Sequence, residues 1–191
     1  MPIATLVLHA HPRPTHSVVV RGLRQVFAAA PQVRVHDLYD RYPDFDIDVA
    51  AEQRALLSAQ LVVWLAPVHW YSVPSLLKHW IDQVLLQGWA YGPGGEALRG
   101  KTAWWVCSTG GAADSYAPGG LHGRPFADFV APLEQTARFC GMGWLPPFVV
   151  QGGHAASATQ RAAEVDQLGG LLDAHRRTLA ADAGAGAPGP P

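Results

Sequence analysis

The chain has no hydrophobic run long enough to cross a bilayer, no Cys-x-x-Cys or Cys-x-x-His spacing, and no excess of charge of either sign. Fifteen acidic residues balance fourteen basic ones, leaving a formal net charge of −1. Without a Lys/Arg cluster there is no field to hold nucleic acid or an anionic membrane surface, and no nucleic-acid partner is expected. The two cysteines, Cys107 and Cys140, fall in a predicted strand and a predicted helix and read as buried free thiols. Glycine signatures are missing where they would count. The loop HAHPRPTHS after the first apolar run lacks GxGxxG and GxxxxGK[ST], so it carries neither the dinucleotide fingerprint nor the nucleoside-triphosphate loop, and Ser108 and Ser115 have no GxSxG elbow. The first residues, MPIATLVLHAHP, carry neither a basic flank nor a small-residue cleavage site, so a cytoplasmic location is expected.

What is present is the composition of a globular protein, 49% hydrophobic and 15% charged over 191 residues. That length fits one domain, expected over 1–182, with the tail from Ala183 disordered because it has nothing to bury. The continuous apolar runs at 3–8, 61–67 and 102–107 suit strands buried on both faces. VRVHDL, at 33–38, alternates like an edge strand, and FVVQG, after the Pro146-Pro147 break, supplies a fifth. Helical periodicity fills the intervals. Ser17 caps the first helix and Pro31 ends it, a short helix covers 49–59, and a third starts at Pro74 and closes at Gly88. Further helices fall within 126–140 and around Val165–Leu179. Alternation of strand and helix predicts an α/β fold, a flavodoxin-like doubly wound five-stranded parallel sheet in the order 2-1-3-4-5. In that order ligands bind where strand one meets strand three, at the carboxyl ends of the strands.

Three loops converge there. HAHPRPTHS leads into the Ser17 helix start, whose free N–H groups and partial positive charge suit a phosphate. His9 and His11 form an HxH pair, but no further His/Asp/Glu cluster completes a metal site, so no metal is expected. PVHWYSVP places Trp70 and Tyr71 beyond a strand end, as packing against a neighbour or as the wall of a planar ligand. STGGAADSYAPGGLHG sets Thr109, Gly110 and Gly111 at the tip of strand four, where a missing side chain admits a ligand close to the backbone. On residues alone, Tyr116 and His122 in that loop read as surface. The residues thus describe a domain that binds a planar, phosphorylated ligand.

HAHP, the Ser17 helix start, PVHWYSVPSLLKHWID, GWAYGPGG, STGG with Tyr116 seven residues after Thr109, and CGMGWLPPFVV together resemble the NAD(P)H:quinone oxidoreductase family. The likeness spans about residues 3 to 151 and lies nearest the branch of ancillary oxidoreductases of glutathione-gated potassium efflux systems. It implies a homodimer holding FMN, or FAD as in some relatives, with NAD(P)H as co-substrate and ping-pong transfer to a quinone-like acceptor. The aromatics in YDRYPDF and HWYSV would suit the dimer interface or equally pack internally. By the resemblance, His11, Ser17, Val18, Val19 and Val20 hold the phosphate end, and Pro67, Val68, His69, Trp70 and Tyr71 edge the isoalloxazine ring. Ser108, Thr109, Gly110 and Gly111 contact its pyrimidine side, and Tyr116 and His122 face the substrate as catalytic residues. It also implies an alternative role, a flavin-binding regulatory subunit docked on a membrane antiporter, peripheral at the inner membrane. One turn departs from the family: a polar residue usually stands near the phosphate where this chain has Val18-Val19-Val20, so only backbone N–H groups meet the anion there.

Overall fold

The computed structural model of the protein describes residues 4–185. Five parallel strands, β1 (Thr5–His9), β2 (Val33–Asp37), β3 (Leu61–Pro67), β4 (Thr102–Ser108) and β5 (Gly143–Val150), form one sheet in the order β2-β1-β3-β4-β5. The connecting helices are α1 (Val18–Ala29), α2 (Leu38–Arg41), α3 (Val49–Leu57), α4 (Ser75–Val84), α5 (Ala127–Phe139) and α6 (Ala158–Ala185). The expected doubly wound fold is thus the observed one. Among the described residues no helix is long and apolar enough to cross a membrane.

The strand alternation divides the core into two layers. Leu6, Leu8, Val62, Trp64, Ala103 and Trp105 face one side, which α3, α4 and α5 cover with Leu56, Leu76, Leu77, Trp80 and Leu133. Val7, Val63, Trp104 and Val106 face the other, covered by Val20, Leu23 and Phe27 of α1 and Leu168 and Leu172 of α6. β1, β3 and β4 are buried along their whole length, as continuous apolar runs demand, whereas β2 at the sheet edge has only His36 fully buried.

The ends of several elements differ from the sequence expectation. β5 begins at Gly143 and runs through Pro146 and Pro147 instead of starting after them. It tolerates both because it is an edge strand and because the register slips there: Trp104 pairs with Leu145 and Val106 with Phe148, so the two prolines stand opposite Trp105 alone, in a bulge. The Pro146 carbonyl accepts the Trp104 indole N–H at 3.0 Å. The expected aromatic loop after β2 contains the single turn α2, and α4 stops at Val84, short of Gly88. At the C-terminus α6 continues through Ala185 where disorder was expected from Ala183, since an alanine-rich stretch extends an already nucleated helix at little cost. The rest of that tail, 186–191, lies outside the described residues.

One ionic cluster ties β2, α2, α3 and α4 together. The Glu52 carboxylate is wholly buried and accepts hydrogen bonds from Tyr42 Oη at 2.7 Å, Trp80 Nε1 at 3.0 Å and His36 Nδ1 at 3.0 Å. Of the YDRYPDF aromatics, Tyr42 takes the internal alternative and is a core residue. Burial opposes ionisation of Glu52, but the His36, Tyr42 and Trp80 bonds outweigh it and hold the carboxyl below its ordinary range. Burial and the same bond push Tyr42 up to about 12. Glu52→Gln turns an acceptor-only group into one that must present N–H to these donors. Urea unfolding should show a loss of about 3–5 kcal/mol, the cost of breaking a buried ionic cluster from one side.

Candidate functional site

At the carboxyl ends of β1, β3 and β4 the chain encloses a cleft of about 610 Å³, within the size range of small-molecule sites. Its walls come from the β1–α1 loop, the first turn of α1, the ends of β3 and β4, the β5–α6 connection and the first turn of α6. Of the sequence-predicted residues, His11, Ser17, Val18, Val19, Pro67, Val68, His69, Ser108, Thr109 and Gly110 line it. Arg13, His16, Gly153, His154 and Arg161 line it as well and were not anticipated. The lining holds two arginines, four histidines and no carboxylate. In a chain of net charge −1 that segregation suits an anion.

The helix α1 end of the cleft is built from backbone. Ser17 is the N-cap, and its Oγ accepts the Val20 N–H at 3.2 Å. Val20 is therefore excluded from the anion-binding role expected of it: its amide is spent on the cap and its side chain is in the core, 1% exposed. The N–H groups of Val18 and Val19 donate to no acceptor among the described residues and remain for a ligand. His11 is nearly buried, and its Nδ1 accepts the Arg13 backbone N–H at 3.0 Å, which fixes the ring as the Nε2–H tautomer. Burial, with the neighbouring His9, His69 and His16, pushes its pKa down to about 4. His11 is thus a neutral donor at the cleft, not a cation. His9 is engaged elsewhere, on Asp37 at 2.6 Å beneath α1. Burial works against the Asp37 charge, but His9 and Arg24 hold its carboxyl below the usual range.

The opposite end is shaped by two turns. His69 and Ser72 exchange backbone hydrogen bonds of 3.0 Å, closing a two-residue hairpin whose tip is Trp70-Tyr71. Both tip residues have positive φ, 48° and 63°, a conformation normally left to Asn and Gly. Neither Trp70 nor Tyr71 lines the cleft: Trp70 is 93% exposed and Tyr71 leaves it to pack on Phe129, ring centroids 4.9 Å apart. At the β4 tip, Thr109 Oγ1 donates to Gly111 O at 2.6 Å, Gly152 N to Gly111 O at 2.8 Å and Gly153 N to Thr109 O at 2.9 Å. The β5 exit thus braces this tip while the Gly110 and Gly111 N–H groups donate to nothing among the described residues.

Gly111, also outside the cleft lining, links it to an aromatic cluster. Tyr116 is 7% exposed and packs on His122 with ring centroids 4.4 Å apart, and Tyr71 Oη lies 3.4 Å from His122 Nδ1. A Cβ at Gly111 would meet His122 Nε2 at 2.9 Å, so glycine is what admits the imidazole there. That Nε2 is buried and has no partner among the described residues. The pair that read as surface on residues alone is therefore a packed unit with a spare proton donor or acceptor. Sequence could not have found Arg161 or His154, since nothing local marks a residue beyond β5 as returning to a cleft at β1.

A parallel sheet that reverses its winding at an anion-favouring cleft defines a flavodoxin-like α/β protein. The chain belongs to the family described as having the flavodoxin-like fold, whose sequence model matches residues 4–172. Over 145 residues it is 49% identical to the glutathione-regulated potassium-efflux system ancillary protein KefF of Salmonella typhi, covering 76% of this chain and 81% of that one. General stress protein 14 of Treponema denticola, solved in complex with FMN, superposes with a TM-score of 0.81 at 35% identity, over 92% of this chain and 99% of that one. An NADPH-quinone reductase from P. pentosaceus does so with a TM-score of 0.79 at 26% identity, over 87% and 96%. The resemblance seen in the motifs is thus borne out over most of the chain.

Two outcomes follow from this geometry. Trp70→Asn relieves a left-handed aromatic and should raise stability by about 1 kcal/mol in urea unfolding. The second concerns pH. The folded His11 pKa lies below its unfolded value of 6.5, so the unfolded chain takes up the proton first. The stability associated with neutral His11 is complete above pH 6.5 and is lost as pH falls toward about 4. His11→Asn, which keeps an acceptor for the Arg13 N–H, should flatten part of that slope in pH-dependent thermal melts.

Proposed function

We propose that the protein is a flavin-dependent NAD(P)H:quinone oxidoreductase that binds FMN in the cleft. The observation that carries this is the carboxylate-free cleft at the winding reversal, with amides and arginine at one end and a glycine tip beside an aromatic cluster at the other. The fit is chemical. Val18 and Val19 N–H, His11 Nε2–H and the Ser17 hydroxyl offer donors to a phosphate, while Pro67, Val68 and His69 flank the space for a planar ring and Ser108–Gly110 bound its far side. FMN bound there would accept a hydride from NAD(P)H and, after the nicotinamide leaves, pass the electrons to a quinone-like acceptor. The relation to KefF and the FMN complex of the Treponema protein support this reading.

The chain's own part is orientation and charge. The free N–H groups of Gly110 and Gly111 stabilise negative charge that grows on an oxygen held against the β4 tip. His122 Nε2, unpartnered and adjacent to Gly111, is placed to hand a proton to an acceptor oxygen, with Tyr116 fixing the imidazole through ring contact. The exposed Trp70 and the Tyr71–Phe129 pair stand beside that point and suit the wall of a site completed by a second copy, in keeping with a homodimer. The likeness to KefF also supports an ancillary role, in which the same cytoplasmic site works at the membrane through a potassium-efflux partner.

Reconstitution with FMN followed by anaerobic addition of NADH or NADPH tests the main reading. The flavin band should bleach within one turnover and recover on adding a quinone. A protein that takes up no flavin even after refolding with excess cofactor would sink it. His122→Ala and Tyr116→Phe should each lower steady-state turnover about 10- to 100-fold with flavin still bound. Co-purification with a potassium-efflux membrane protein separates the ancillary role from an enzyme working alone.

A further inference from the structure

Resting on the FMN reading, we propose that Arg161, on the first turn of α6, is the residue that selects a phosphorylated flavin. The phosphate end of the cleft has a deficit on its own side. Val18, Val19 and Val20 supply no side-chain donor, and His11 is a neutral imidazole. A phosphomonoester brings about two negative charges, and the Val18 and Val19 amides, the Ser17 hydroxyl and His11 offer it donors but no full positive charge. Arg161 closes that gap from across the chain.

Its position identifies it as the counter-charge for that end. It lines the cleft, and it also lines, with Val18 and Val19, a groove of about 330 Å³ between α1 and α6, so it stands at the helix end and not at the glycine tip. One guanidinium nitrogen, Nη1, donates to the Ala156 carbonyl, which ties the side chain to the β5–α6 connection. A guanidinium has five N–H donors, and the remainder meet no acceptor among the described residues. Arg24 and Arg41 are ion-paired to Asp37 and Glu52, whereas Arg161 has no carboxylate partner among the described residues. The acids nearest along its helix, Glu164 and Asp166, line the groove but not the cleft. Arg13, the other arginine of the cleft, sits on the exposed β1–α1 loop, where solvent screens its charge. The half-buried, anchored arginine is the one that holds the anion.

The test is binding, not turnover. Flavin-free protein is titrated with FMN and with riboflavin, which differ only by the phosphate, and followed by quenching of flavin fluorescence. Wild-type protein should prefer FMN. Arg161→Gln should weaken FMN about 10- to 100-fold and leave riboflavin within about 2-fold, the range of a lost charge-assisted hydrogen bond. Arg161→Lys, which keeps the charge, should recover part of the preference, and unchanged riboflavin affinity reports that each variant is folded. Arg13→Gln should cost FMN only about 2- to 3-fold. An Arg161→Gln protein that keeps the full FMN preference, or a larger loss from Arg13→Gln, overturns the assignment and leaves the cofactor reading standing. A wild-type protein that binds neither flavin overturns both.

Discussion

β1 and β3 lie side by side in parallel register, Thr5 opposite Leu61 and His9 opposite Leu65, yet the chain leaves them toward opposite faces of the sheet. α1 packs on one core layer and α4 on the other. Two loops that diverge from adjacent strand ends cannot cover the space between them. The cleft is that space, and everything that lines it is placed by the crossover geometry of a right-handed α/β winding. The neighbouring strand β4 supplies its floor, because Ser108 ends level with Pro67 in the same register.

The distribution of charge follows from burial. Two carboxylates near β2, Asp37 and Glu52, are committed to His9 and to the His36–Tyr42–Trp80 set, and each is held ionised against its own desolvation. With these acids neutralised internally, the cleft is left with amide N–H groups, imidazoles and two arginines. A ligand carrying a compact anion is therefore favoured at one end. At the other end backbone donors and packed aromatic rings meet, which suits a planar ring whose oxygens gain charge during reduction. The polarity of the site is thus set by the side chains that line it, not by the overall charge of the chain.

Two of the four non-glycine residues with positive φ among the described residues stand side by side in the turn after β3. Trp70 and Tyr71 occupy left-handed backbone conformations that cost bulky side chains about 1–2 kcal/mol each. A pair of hydrogen bonds between His69 and Ser72 closes the turn, and the Tyr71–Phe129 contact holds it against α5. The same loop reaches His122 through Tyr71, so the loops after β3 and β4 are in contact.

Much of this was legible in residue order alone. Apolar runs without polar interruption marked β1, β3 and β4, the alternation in VRVHD marked the edge strand β2, and Ser17 marked the start of α1, because burial and capping act on local sequence. Local reading failed where a distant partner overrules it. Pro146 and Pro147 lie inside β5 because a bulge opposite Trp105 accepts them, and Tyr116 leaves the surface because Phe126 and Phe129 pack on its ring, with His122 stacked against it. The sequence by itself determined the order of elements, the two-sided burial of the sheet and the three loops that meet at its carboxyl edge. Only the tertiary structure decided that Arg161, far along the chain in the last helix, returns to face Val18, since side chains separated by over a hundred residues meet only when α6 crosses the sheet face and packs against α1.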